Sequence, residues 1–516
     1  MSTAKKILGN TAVQVAGRGM MAAASVVILK IISGFLSVEG YGMYTGVWEF
    51  LAFFGIAADL GLFTIAVREM GKGTRERDFV VGNILGMRIV LAICAMTVAI
   101  GAAFLVPRYD GTYIPIGVAI ASMAVFLSIL HGTVSSVLQV ELKMQYATLG
   151  LVGGKVLGLG WMIAVIFYFF AGEPGANAFY NLIFAGVIGN IFAFAFTFRY
   201  ALKYARIRPL FCREYWREIF VTSVPYGLAL ILNMVYFRID SLMILFMKGP
   251  TELGYYGPAM RILEILSVIP VYFMNSVLPV LSRVVQEGEA RASEAAVAGG
   301  RAVRHGGEKL VRILRLSFDF LFMAGFPIVV GLMVLAYPII FIITQPEFLS
   351  RLDEGIYGSD IALQILVFAV FFAFLNSLFT YSLVAVNKQN HLLWINGSAA
   401  VLNIVVNFIA IPIWGFRGAA AASVLTEAYI LVLAWLVARR WLTYKLDFWS
   451  FGKTAVAAVL MGVVVWYLKE PTYYLWGLQN WNVFILTPLG AVVYGGLLLL
   501  FGAMPEEFMR EVRRRI

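Results

Sequence analysis

The sequence is poor in charged residues and contains almost no cysteine or histidine. Only 13% of its 516 residues are Asp, Glu, Lys or Arg, whereas soluble proteins contain about 25%. Its two cysteines and three histidines are too few and too scattered for a disulfide framework or a zinc site. It contains no Walker A sequence, which excludes ATP hydrolysis through a P-loop. We therefore expect no catalytic constellation, metal or cofactor.

Apolar residues make up 61% of the chain and are arranged in long runs. Each run is long enough for a transmembrane helix, which needs about 20 residues. β-barrel strands would be about ten residues of alternating polarity, a pattern that is not seen here. We predict about fourteen transmembrane helices, at approximately 12–37, 41–67, 83–106, 115–141, 146–171, 178–200, 219–247, 255–282, 313–343, 361–387, 391–414, 417–438, 452–469 and 482–504.

The positive charges fall into every second break between these runs. Of the 40 lysines and arginines, 29 fall in the terminal and connecting segments of one side, five fall on the other side and six fall inside predicted spans. Because positive residues concentrate on the cytoplasmic side, both termini are predicted to be cytoplasmic, in a cell (inner or plasma) membrane. The net charge of +11 is then an orientation signal and an attraction to anionic membrane lipids, and it does not indicate nucleic acid.

Two similar turns suggest an internal repeat. Both Leu36–Gly42 and Gly249–Gly257 are outside turns that place an acidic residue near Gly and Tyr, six spans apart. The sequence thus predicts an all-α polytopic membrane protein with two six-helix bundles, 1–218 and 219–450, followed by two extra helices and a basic tail in 451–516. The inside segment at about 283–312 is either a broken amphipathic helix at the membrane surface or a solvated linker.

Six cations inside spans are the main candidates for function, because a charge in the membrane costs a few kcal/mol and should face water or a partner. We expect Arg88 to reach back to the inner surface. Lys30 either contributes to a substrate site or extends to the outer membrane surface. Arg261 either contributes to a substrate site or pairs with Glu264 on the same helix. An anionic headgroup in a central cavity is the predicted ligand of Arg18, Lys30, Lys155, Arg238 and Arg261. Arg18 and Lys155 are the preferred candidates, since no acidic residue lies within one turn of either.

Acidic residues inside spans provide candidates for ion coupling. Asp59, Asp240 and Glu427 could each bind a coupling H⁺ or Na⁺. The alternative for each is a structural ion pair with one of the span cations.

Several segments in both halves of the chain follow a recognisable pattern of Gly, Pro and small polar residues. They are Leu36–Tyr44, Ala58–Leu62 with Arg68 and Glu69, Asp240–Leu242, Leu253–Arg261, Leu278–Ser282 and Asn387–Gln389. These segments resemble Wzx-type polysaccharide flippases of the multidrug/oligosaccharidyl-lipid/polysaccharide (MOP) exporter superfamily. The resemblance implies two six-helix bundles around a cavity, and alternating access. The inside segment at 283–312 looks longer than is typical of the group.

Wzx-type members move polyprenyl-pyrophosphate-linked oligosaccharides from the inner to the outer leaflet, and the related MurJ-type lipid II flippases hold pyrophosphate with cationic cavity residues. The resemblance therefore implies a non-enzymatic flippase for cell-surface polysaccharide biosynthesis. Its expected partners are a lipid-linked glycan, membrane lipids and other polysaccharide-assembly proteins. Rival interpretations are a cation-coupled multidrug exporter of the same superfamily, a membrane glycan polymerase or ligase, and a non-transporting scaffold.

Overall fold

The computed structural model describes residues 3–170, 172–297, 308–442, 444, 448–474 and 477–504. The described residues form fifteen α-helices and their connections. The helices are α1 Thr3–Phe35, α2 Val38–Asp59, α3 Leu62–Lys72, α4 Arg77–Leu105, α5 Ile114–Val140, α6 Met144–Ala164, α7 Ala176–Ala201, α8 Arg213–Met247, α9 Pro250–Val297, α10 Glu308–Ile343, α11 Ser359–Ala385, α12 Asn390–Trp414, α13 Phe416–Ala438, α14 Phe448–Tyr474 and α15 Val483–Leu500.

Thirteen stretches of helix among the described residues are long and apolar enough to cross a membrane. The 35-residue α8 covers the one further span that the sequence predicts, at 219–247. Internal hydrogen bonding within each helix satisfies the backbone, as a hydrocarbon environment requires. The predicted all-α polytopic membrane fold is therefore confirmed.

The sequence predicts span 2 as a single helix over 41–67, and the structure differs. The span is split into α2 and α3, because Leu60 and Gly61 both adopt the left-handed conformation, with φ values of 44° and 71°. Leu60 still donates its backbone N–H to the carbonyl oxygen of Ile56 at 3.0 Å, and α3 then starts as a new helix.

The cytoplasmic segment predicted at about 283–312 begins as a direct continuation of span 8. Helix α9 continues without a break to Val297, and α10 begins at Glu308. A 3.6 Å ion pair between Lys309 and Glu287 links the described ends of the two helices. The choice between a surface helix and a solvated linker depends on residues 298–307, which lie outside the described residues.

The chain divides into two compact units, Met1–Gly254 and Tyr255–Ile516. In the first, α5, α6 and α7 pack closely together, and α2 lies against α4, α5 and α8. In the second, α11, α12 and α13 pack together, and α10 joins α11 to the pair α14 and α15. The division of the repeat into 1–218, 219–450 and 451–516 stays a prediction.

The two outside turns that suggested a repeat touch each other inside the first unit. A Cβ atom on Gly42 would lie 1.7 Å from the carbonyl oxygen of Pro250, and one on Gly254 would lie 2.1 Å from that of Val38. Val38 and Pro250 each begin a helix, and each glycine follows four residues later. The contact is thus reciprocal, and it requires glycine at both positions because only glycine lets two backbones approach so closely.

Candidate functional site

Three of the predicted site residues lie on helices α1 and α6, which pack against each other. The two helices pack at Gly17, where a Cβ atom would lie 2.1 Å from Cγ2 of Thr148. Arg18 and Lys30 lie on α1, and Lys155 lies on α6. Lys155 is seven residues beyond Thr148, about 10 Å further along the helix. Arg18 is exposed within this unit and the two lysines are half-buried, so the three charges occupy different depths along one pair of helices.

Neither α1 nor α6 contains an aspartate or glutamate. This pair of helices therefore contributes positive charge inside the predicted membrane without supplying a carboxylate of its own. Such a surface suits an anion, because a phosphate moved from water into the membrane needs charged hydrogen-bond donors in place of its hydration shell.

Arg238, on α8, forms an ion pair with Glu49 on α2. Its Nη1 atom lies 2.7 Å from Oε1 and 2.6 Å from Oε2 of the carboxylate, and the Glu49 side chain is only 7% exposed. The two residues are 189 positions apart in the sequence. A substrate headgroup would thus have to compete with Glu49 for Arg238. Asp240, two residues further on, is also buried.

Arg88 does not reach the inner surface, and the prediction that it would is wrong. It is 2% exposed on α4 and forms an ion pair with Asp59 at the end of α2. Its Nη1 also donates a 2.9 Å hydrogen bond to Oγ1 of Thr133 on α5. Gly132 makes room for the guanidinium, since a Cβ there would lie 3.2 Å from Nη1. Arg88 stays inside because two polar partners on neighbouring helices hold it there.

In the second unit, Arg261 pairs with Glu264. The two residues are three positions apart on α9, and Nη1 of Arg261 lies 2.8 Å from Oε2 of Glu264. Both side chains are more than a third exposed. This local pair is one of the two alternatives that the sequence offered. A role for Arg261 in substrate binding stays a prediction.

Glu427 lies in a polar network that links α11, α12 and α13. Asn376 donates to its Oε2 at 2.5 Å and to its backbone oxygen at 3.1 Å. Next to it in the chain, Thr426 accepts a 3.4 Å hydrogen bond from Asn403, which itself accepts a 2.9 Å bond from Asn407. The two asparagines are four residues apart in a span, so the sequence does contain a signal for this network. Charged residues alone do not reveal it, because asparagine and threonine are neutral.

Within the described part of the chain, no three His, Cys, Asp or Glu side chains gather closely enough to hold a metal ion. Titratable groups do meet inside spans, in the ion pairs and in the Glu427 network described above. They are suited to binding a proton or a small cation, or to stabilising the fold, and the assignment of Asp59, Asp240 and Glu427 to ion coupling stays a prediction.

The fold is similar to those of several solved flippases and exporters. The lipid II flippase MurJ in its inward closed conformation aligns with a TM-score of 0.71 and 14% identity, over 98% of this chain and 99% of MurJ. An inward-facing multidrug resistance MATE transporter aligns with a TM-score of 0.59 and 14% identity, over 83% of this chain and 97% of the transporter. A MOP superfamily transporter from Pyrococcus furiosus, described as having a binding pocket of reversed polarity, aligns with a TM-score of 0.57 and 15% identity, over 84% of this chain and 95% of that transporter.

Sequence comparison identifies the family. The model of the polysaccharide biosynthesis protein family matches residues 5–285, which is more than half of the chain. The chain belongs to that family. A comparison with curated proteins found no match.

Proposed function

We propose that this protein is a flippase that moves a polyprenyl-pyrophosphate-linked oligosaccharide from the inner to the outer leaflet of the cell membrane by alternating access. The observation that carries the proposal is the cationic pair of helices α1 and α6. Arg18 and Lys155 place positive charge at two depths on helices that contain no carboxylate. Membership in the polysaccharide biosynthesis family supports a glycan-bearing cargo.

In this mechanism the pyrophosphate binds to Arg18 and Lys155, and Lys30 extends the cationic surface towards the outer leaflet. The glycan travels with the headgroup through a polar interior while the polyprenyl chain stays in the bilayer. Both termini are cytoplasmic in this orientation, which follows from the 29 positive residues assigned to one side. Binding exchanges phosphate hydration for charge-assisted hydrogen bonds, each contributing about 1.5–3 kcal/mol.

The test measures translocation of a fluorescent polyprenyl-pyrophosphate oligosaccharide in proteoliposomes. We expect Arg18→Ala and Lys155→Ala each to lower the rate about tenfold or more, and Arg18→Lys to retain more activity than Arg18→Ala. Lys248→Ala removes a cation from an outside turn and is the matched control, expected to leave the rate unchanged. Full transport by the correctly folded double variant Arg18→Ala/Lys155→Ala would overturn the assignment of the site.

Transport against a gradient requires a coupling ion, which we propose to be H⁺ or Na⁺. Asp59, Asp240 and Glu427 are the candidate carriers. Imposed pH and Na⁺ gradients applied separately to the same proteoliposomes identify the ion. Acceleration by one gradient supports coupling, and an unchanged rate under both would contradict it.

A further inference from the structure

The break in span 2 is unusual for its position. Among the described residues, Leu60 and Gly61 are the only residues with positive φ in the interior of a candidate span; all others lie outside the candidate spans or at a span's first residue. A leucine seldom adopts a positive φ, and such a conformation persists only where the surrounding structure enforces it. Breaks of this kind often serve as hinges, because a few residues absorb a change in backbone angle.

An ion pair with a buried arginine lies directly at this break. Asp59 is the last residue of α2, and its carboxylate pairs with Arg88 on α4. Arg88 is also held by Thr133 on α5. The guanidinium therefore connects three helices at the point where the backbone of span 2 changes direction. Opening the pair inside the membrane leaves a buried charge without compensation, so its state is strongly coupled to the local geometry.

The two segments on either side of the break pack differently. Helix α3 is anchored in the cytoplasmic core of the first unit, where its Leu62, Ile65, Ala66 and Met70 are buried among apolar residues of α4, α5 and α8. On the α2 side of the break, Ala58 is buried with Ala92 and Ile129 in a separate small cluster, and Phe126 packs against this cluster. At the break itself, Gly227 of α8 lies against Leu60, and a Cβ on this glycine would be 3.0 Å from the Cα of Leu60.

We propose that span 2 works as two arms joined at Leu60 and Gly61, with the Asp59–Arg88 pair as the latch of this hinge. While the pair is closed, it holds α2 and α3 at the angle seen in this structure. When it opens, α2 tilts about the break together with the first turn of α9, which it contacts at Gly42 and Gly254, while α3 remains in the cytoplasmic core. The rotation moves Ala58 past Ala92 and Ile129, and Leu60 past Gly227. Asp59 and Arg88 are then positioning residues for the transport cycle.

The expected movement is measurable. Helix α2 is 22 residues long, or about 33 Å, so a tilt of roughly 15° moves its outer end by about 9 Å. Spin labels at Glu39 and Leu105, both exposed at the outer ends of α2 and α4, report this distance. Labels at Gly71 and Lys143 report on the cytoplasmic ends of α3 and α6, which should not move. Cys94 and Cys212 are first replaced by serine.

We expect a single Glu39–Leu105 distance in the unmodified hinge. Asp59→Asn should add a second population displaced by several ångströms, and Leu60→Gly should broaden the distribution although the latch is intact. Asp59→Glu, which keeps the charge, should restore the single distance. Glu141→Gln removes the ion pair with Arg77 at the cytoplasmic surface and is the matched control, expected to change neither distance.

The proposal is overturned if Asp59→Asn and Leu60→Gly fold and both keep the single distance. It is also overturned if the Gly71–Lys143 distance changes together with the outer one, since α3 would then not be a fixed arm. Arg88→Gln removes the other half of the latch. If this variant does not fold, Asp59→Asn and Leu60→Gly still test the proposal. The measurement needs no substrate, so its outcome is independent of the proposed flippase activity.

Discussion

The reciprocal glycine contact makes a quantitative prediction for Gly42→Ala. The new Cβ would lie 1.7 Å from the carbonyl oxygen of Pro250, 2.6 Å from its carbonyl carbon and 2.9 Å from the amide nitrogen of Gly254. All three atoms belong to the backbone, so no side chain can move aside and the two helix ends must separate by an ångström or more. Overpacking of this kind costs about 1–3 kcal/mol, whereas alanine in place of a helical glycine gains about 1 kcal/mol.

The expected net effect is a loss of about 1–2 kcal/mol in the free energy of unfolding, from the upper part of the overpacking range. Titration with SDS in detergent micelles measures it. Gly101→Ala is the matched control, because this exposed glycine of α4 has no atom within 4 Å of its Cβ position. It should be neutral or stabilising by up to about 1 kcal/mol.

The double variant Gly42→Ala/Gly254→Ala tests the geometry further. A single separation of the two helix ends relieves both clashes, so the combined cost should fall short of the sum by about 1 kcal/mol or more, as residues sharing one contact are not additive. The predicted backbone clash is refuted if Gly42→Ala is as stable as Gly101→Ala, or if the two substitutions add.

Two further predictions concern carboxylates inside the spans. Glu49→Gln breaks the ion pair with Arg238, and we expect a loss of about 2–4 kcal/mol in the free energy of unfolding, near the range for breaking a buried pair. A cost below that of Glu264→Gln, which breaks an exposed pair, would contradict this expectation. Glu427→Gln should abolish the stimulation of transport by the coupling-ion gradient while Glu264→Gln retains it. An undiminished response in folded Glu427→Gln would exclude Glu427 as the ion carrier.

The sequence predicts the fold well because the bilayer imposes a simple rule: each crossing needs about 20 apolar residues, and charges mark the loops. It also offers a local charge pair as one of two alternatives for Arg261, and the structure shows that pair with Glu264. The prediction for Arg88 is wrong because its carboxylate partner lies on another helix, and nothing in the sequence near Arg88 indicates Asp59. Glu49 and Arg238 meet across 189 residues, so their pairing is hidden from the sequence for the same reason.

The interruption of span 2 is not predicted from the sequence, because hydropathy reports apolar length and not backbone direction. Leu60 is as apolar as its neighbours, and Gly61 alone does not distinguish a break from close helix packing. Only the combination of a carboxylate, a leucine and a glycine beside a buried arginine on another helix identifies it, and that combination exists only in the folded chain.

The proposed function depends on movement of a lipid headgroup that carries pyrophosphate. The measurement that tests it compares three cargoes in proteoliposomes containing the unmodified protein: a polyprenyl-pyrophosphate oligosaccharide, the same oligosaccharide on an uncharged lipid, and a fluorescent organic cation. We expect transfer of the first to the opposite leaflet and little or no movement of the other two. Efflux of the organic cation without transfer of the pyrophosphate lipid would contradict the flippase proposal and favour a multidrug exporter.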